Sequence, residues 1–315
     1  MGDPSVRLEI SRIKDRDDLP VPPFPQPPAL SNSITPMRGK LKLIQAYITS
    51  LEYNYTGEEF FVKKKDRGFR HVTSTAKLII REALPIQCVE AVFVGAYLTA
   101  DMAQVDRFPV CFRSSLDGRV YRHIILAIRR GKVWGALGLS RRDTLMYKEL
   151  KYKLFSELMG DFRDSYAGSW HRLEHIWVGF PLPHDISSNV PVKWKVMRAN
   201  VGTDAEWSSA APNLDNFVAC ASSLFERFST SGKMPDHPLL SSNNTNNDGP
   251  SSSATRHGSG DAERADPRES PGARSPGVRS PGFPPYWLGP PGSGGEGGGR
   301  RRMTRGSKSG SGSGG

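Results

Sequence analysis

From Ser231 to Gly315 the chain is built of Ser, Gly, Pro, Asn and Arg with few apolar residues. Such a stretch cannot bury enough surface to offset its chain entropy, so it is expected to be a disordered basic tail. Folding is thereby confined to the preceding residues, of which 37–230 read as one domain behind a leader, 1–36, that carries a proline-rich run. About 200 residues suffice for one substantial core. Within the tail, Ser-Pro-Gly recurs at 270–272, 275–277 and 280–282, a period too short for a solenoid unit and suited to a phosphorylatable linker.

Inside the domain the periodicity changes once and then changes back. Thr35-Pro36 reads as a cap with proline at the first helical position, and Leu41, Ile44, Ile48 and Leu51 predict a helix over 37–52 that Asn54 and Gly57 end. Further helices are expected over 73–84, closed by Pro85, and from about Gln87. Short β-prone stretches follow at 108–112, 120–128 and 133–139, punctuated by Asp117-Gly118 and by Arg130-Gly131. A helix over 149–166, strands over 173–180 and 191–196, and a last helix over 213–228 capped by Asn213 complete the expected order. Helices first, then an antiparallel sheet, then helix again is an α+β arrangement.

Charge narrows the range of partners. The chain carries 43 Lys and Arg against 32 Asp and Glu, net +11, and the tail's 11 basic and 7 acidic residues leave +7 to the rest. Both parts favour an acidic partner. Nucleic acid is disfavoured, because zinc-finger spacing and an RNP-like aromatic run are both missing. No run of 18 apolar residues offers a membrane span, and the first 14 residues hold no secretory h-region. Cys88, Cys111 and Cys220 in 315 residues suit a reducing compartment and not a disulfide scaffold. Residues 20–28 read as polyproline II, either a stiff leader or a ligand for a proline-reading partner.

The most informative stretch is Leu84-Pro85-Ile86-Gln87-Cys88-Val89-Glu90-Ala91. A cysteine in the first turn of a helix sits among unpaired N–H groups that favour a thiolate and can hold an oxyanion. The alternative is a small apolar side chain packed beneath the helix. A nucleophilic thiol needs a base, and His123 in the 120–128 strand is the candidate. With Arg130-Gly131 as a two-residue turn, His123 would face Gly138, and Ser140 would lie diagonal to the imidazole. Asp143 has the wrong parity, so Ser140, alone or with a backbone carbonyl, is left to orient the ring. Arg141 and Arg142 follow directly and read as a carboxylate grip or as a solvated turn. The run Lys63, Lys64, Lys65 and Arg67 reads either as substrate steering or as a solvated loop.

Several motifs then occur in a recognisable order: Leu51-Glu52-Tyr53-Asn54-Tyr55-Thr56-Gly57, Phe60-Phe61, 84–92, Arg107-Phe108-Pro109, and Leu137-Gly138-Leu139-Ser140-Arg141-Arg142. Weaker agreement follows at 161–166 and 178–184, so the likeness covers roughly 37–200. This set resembles the vasohibins, transglutaminase-like cysteine peptidases that remove the C-terminal tyrosine of α-tubulin. The resemblance implies a transglutaminase-like fold and a triad on Cys88, His123 and Ser140, with neither metal nor cofactor. It further implies carboxylate binding at Arg141, an active-site tyrosine at Tyr53, and contact with the acidic tubulin tail near Lys64. The implied partners are α-tubulin, microtubules and a small helical binding protein, and the implied location is cytoplasmic, on the microtubule cytoskeleton.

One position departs from the pattern. Animal vasohibins carry lysine before the nucleophile, where it helps bind the terminal carboxylate, and this chain has Gln87. Loss of one charge-assisted bond weakens binding by about 1–2 kcal/mol. Two rivals follow from that departure: a microtubule-binding protein without turnover, and a peptidase with another terminal preference.

Overall fold

The computed structural model describes residues 24–31 and 34–240. The expectations for the rest of the leader, for the Ser-Pro-Gly period and for the tail beyond 240 lie outside those residues; the first ten residues of the expected tail, 231–240, are ordered instead, because Leu239 and Leu240 pack against the core. In chain order the elements are α1 (Met37–Ser50), α2 (Phe69–Glu82), α3 (Cys88–Leu98), β1 (Asp106–Leu116), β2 (Arg119–Arg130), β3 (Val133–Leu137), β4 (Lys148–Tyr152), α4 (Phe155–Ala167), β5 (Arg172–Val178), β6 (Met197–Asn200) and α5 (Asp204–Ser231). A short 3-10 turn, Asp143–Leu145, precedes β4. The strands form one antiparallel sheet in the order β4-β3-β2-β1-β5-β6. The class is therefore α+β, with helices before and after the sheet.

Strand alternation sorts the core into two layers, one on each face of the sheet. Ile124, Leu126 and Ile128 of β2 pack with α1, α2 and α3. Ile125 and Ala127 point the other way, with Phe108, Val110 and Phe112 of β1, toward α4 and α5. Helix α3 lies between the first layer and the other N-terminal helices, and every residue from Glu90 to Ala96 is buried. Each large side chain so buried contributes about 1.5–3 kcal/mol.

Local departures from the sequence reading each have a physical cause. Pro36 is the N-cap of α1 and not its first residue. Helix α2 starts at Phe69, four residues ahead of the expected 73. The turn between β2 and β3 is Gly131-Lys132, with Arg130 facing Val133 and Gly131 at φ 58°. Residues 148–152 form a strand and not the start of a helix, because they complete the exposed edge of β3. At Gly135 a Cβ would stand 2.8 Å from the Lys148 carbonyl oxygen, so only glycine lets β4 approach this closely. The stretch 191–196 is not a strand, and the edge strand is β6 at 197–200. Helix α5 begins at Asp204, not Asn213, because Thr203 and Glu206 form a reciprocal capping box and the helix runs through Pro212.

The sheet is incomplete where it matters most. β3 pairs with β2 only over Leu126–Arg130, whereas β1 pairs with β2 all the way to Arg119. The buried Gln45 of α1 ends the β3 ladder: its amide donates to the Gly138 carbonyl at 2.8 Å and its oxygen accepts from the Gly138 N–H at 3.1 Å. A side chain thus takes the place of a strand, and the 139–145 segment is released across the open edge of β2.

Candidate active site

Cys88 occupies the first turn of α3, as the sequence reading expects. The chain before it is pinned by backbone bonds to the 52–54 segment: Asn54 N–H to the Ile86 carbonyl at 2.8 Å and Ile86 N–H to the Glu52 carbonyl at 3.1 Å. Tyr53 and Ile86 form a parallel bridge. The tyrosine is thereby carried to the nucleophile from 35 positions upstream.

The Ile124 backbone N–H, on the stretch of β2 that β3 leaves unpaired, acts on the Cys88 thiol and opposes the rise of its pKa. Ile124 follows His123 directly in β2. The His123 ring stacks on Phe112, its partner across β1, with centroids 6.1 Å apart. Its Nε2 lies 2.8 Å from the Leu145 carbonyl oxygen. A carbonyl only accepts, so Nε2 carries the hydrogen and the neutral ring keeps its lone pair on Nδ1. That is the tautomer a base needs when its other nitrogen is held from behind.

Cys88 and His123 are both kept neutral by desolvation. Burial pushes the Cys88 thiol above its ordinary value; Lys65 and the Ile124 N–H oppose this, while Glu90 and Cys111 add to it. Burial also pulls the His123 pKa down to about 4, against a smaller upward effect of the Leu145 carbonyl. The expectation of a resting thiolate at the helix start is thus overturned, because loss of water outweighs the nearby cation and amide. At neutral pH the site holds a thiol and a neutral imidazole. The N–H groups of the first turn of α3 have no intrahelical partners and are placed to receive oxyanion charge.

Ser140 is half-buried, and its oxygen accepts from the Arg142 N–H at 3.3 Å. Gly138 packs against Ile125 and not opposite His123, which follows from the shifted β2–β3 turn. The hydrogen bond seen on the imidazole is therefore the Leu145 carbonyl, the backbone helper that the sequence allowed but did not locate. Arg141 and Arg142 are exposed. Arg141 lies over the Tyr53 ring at 5.9 Å, and the Tyr53 pKa is raised by burial and by Cys88, with Arg141 opposing. Tyr53, Cys88 and Arg141 are thus brought together.

Within the basic run Lys63 is half-buried, and Lys64 and Lys65 are exposed. Lys65 lies over Trp194 at 5.9 Å and is the main cation acting on Cys88. Lys63 reaches Gln87, its ammonium 3.3 Å from the amide oxygen. The position before the nucleophile therefore lacks a lysine of its own but meets one from another segment. Glu90, Phe112 and Leu145 carried no site reading in the sequence, and Lys63 and Lys65 entered it only within the basic run. Tyr166 of α4, whose hydroxyl burial pushes strongly up, is also within electrostatic reach of Cys88. Among the described residues no group of three His, Cys, Asp or Glu side chains could hold a metal ion.

A family model described as Vasohibin matches residues 4–209. This chain belongs to the vasohibin family. The match begins ahead of the proline-rich run, earlier than the motifs at 37–200 require. The chain is also 41% identical over 184 residues to Tubulinyl-Tyr carboxypeptidase 1 of Mus musculus, covering 58% of this chain and 49% of that protein. It thus spans about half the length of the curated relative it matches. Among the described residues of this vasohibin, no helix is long and apolar enough to cross a membrane.

Proposed function

We propose that this vasohibin is a cysteine carboxypeptidase that removes the C-terminal tyrosine of α-tubulin. The observation that carries the reading is Cys88 at the start of α3, grouped with Tyr53 and Arg141, while the Leu145 carbonyl holds Nε2–H of His123 on β2. His123 Nδ1 takes the thiol proton as sulfur attacks the carbonyl before the terminal tyrosine. The N–H groups at the start of α3 receive the oxyanion. When the C–N bond breaks, the imidazolium returns its proton to the tyrosine amine, and water then cleaves the thioester. Ser140, whose oxygen accepts from the Arg142 N–H, is assigned to steady the imidazole together with the Leu145 carbonyl. Arg141 selects a free carboxylate, and the tyrosine ring of the substrate packs near Tyr53. No metal takes part in these steps.

The relative's name and the net positive charge support tubulin as substrate. An acidic tail is drawn to Lys64, Arg141 and Arg142, and binding weakens with salt. The same reading places the protein in the cytoplasm on microtubules, with a small helical binding protein as partner. Purified protein incubated with a tubulin-tail peptide, followed by mass measurement, tests it. Loss of one tyrosine residue with the native chain and none with Cys88→Ala is expected. Equal loss with both removes the assignment, and microtubule binding without any loss favours the non-catalytic rival.

A further inference from the structure

Beside the nucleophile sits a buried charge cluster that the mechanism above leaves unused. The Lys63 ammonium lies 3.2 Å from Glu90, 3.2 Å from Glu59 and 3.3 Å from the Gln87 amide oxygen. The side chains of Lys63 and Glu90 are 13% and 3% exposed. Burial opposes the Lys63 charge, but Glu90 and Glu59 outweigh it and the ammonium is held above its ordinary pKa. An ammonium donates only, so Gln87 must present oxygen to it, and the amide NH2 is turned away. That NH2 makes no hydrogen bond among the described residues, and neither does the buried second oxygen of Glu90.

We propose that Lys63 is a positioning residue for substrate specificity: it holds Gln87 by its oxygen so that the amide NH2, together with Arg141, binds the terminal carboxylate of the substrate. The idea rests on the carboxypeptidase reading, which supplies the carboxylate. The geometry adds what the sequence change seemed to remove. A cation on the amide oxygen polarises the group and strengthens donation from its nitrogen. The charge thus acts at position 87 without sitting there. Glu90 keeps the ammonium in place and explains why a carboxylate is tolerated so close to the thiol.

Binding separates this from the chemistry. In the full-length Cys88→Ala protein, affinity for a glutamate-rich peptide ending in tyrosine is compared with that for its C-terminal amide. The free acid should bind more tightly, and Lys63→Met with Glu90→Gln should remove about tenfold of that preference while leaving the amide unchanged. Pairing the two changes avoids stranding a buried carboxylate, and circular dichroism and thermal melting establish that the variant is folded. Gln87→Ala should remove the same preference, and adding the Lys63 and Glu90 changes should then cost nothing more. Gln87→Lys in the Lys63→Met, Glu90→Gln background should restore it. Undiminished preference in the folded variant, full additivity with Gln87→Ala, or equal binding of acid and amide by the starting protein would each overturn the proposal. If acid preference follows Lys63 while the protein with Cys88 intact releases no tyrosine, the positioning role stands and the peptidase reading falls.

Discussion

The reacting pair and the cations around it are built on opposite principles. Cys88 and His123 are half-buried, and the loss of water around them keeps both uncharged, with the Leu145 carbonyl on the imidazole. Arg141 and Arg142 stand exposed, where solvent keeps them charged and mobile. Lys63 is intermediate, a half-buried cation held by the buried Glu90 and by Glu59. The difference teaches that, on the proposed reading, charge in this site recruits the substrate, while the chemistry starts from neutral groups whose proton moves during attack.

The sharpest way to break that contrast is to remove the base. His123→Ala should lower kcat by about 10²–10⁴ in a tyrosine-release assay, and Cys88→Ala with His123→Ala should be no worse than Cys88→Ala alone. An intact His123→Ala rate would show that another group takes the proton.

A pH titration reads the same burial as stability. The His123 pKa is about 4 in the fold against an ordinary 6.5, so the unfolded chain binds the extra proton between those values. Stability should therefore fall as pH drops through that window, by about 3 kcal/mol from this residue alone. Urea denaturation at pH 7 and pH 4.5 should show a smaller acid loss for His123→Gln than for the native chain. The acid limb of kcat/KM should lie near pH 4 rather than 6.5.

On the charged side, Arg141→Gln should raise KM about tenfold through loss of a charge-assisted carboxylate contact, with a smaller effect on kcat. Steady-state kinetics with a tyrosine-ended peptide checks this, and a change in kcat alone would place Arg141 in the chemistry instead. The smallest effect is expected at Lys64→Ala, under about twofold at moderate salt, because an exposed cation is screened. Lys65→Ala should exceed it, since Lys65 acts on the thiol directly.

How far these residues could be read in advance follows from the range of the forces that place them. Helical spacing in 37–52 and the Gln87-Cys88 start of α3 are local patterns, and both hold to within two residues. Residues 148–152 carry helical composition yet form β4, because the β3 edge needed a partner. Pro212 made the sequence look broken ahead of 213, although the Thr203 cap and the buried Ala210 hold the earlier turns in one helix. The β2–β3 turn slipped by one residue, and with it every cross-strand assignment near Ser140. Leu145 could not have been named, since a backbone carbonyl has no sequence signature.

By itself, then, the order of residues settled the α+β class, the family, the cysteine at a helix start and the histidine in a strand. Those are matters of periodicity and motif, written within a few turns of chain. Tertiary structure alone decided that both groups rest uncharged, that Leu145 steadies the imidazole, and that Lys63 meets Gln87. Each of those depends on how much water is excluded and on which distant segments meet, and neither is recorded in any short stretch of sequence.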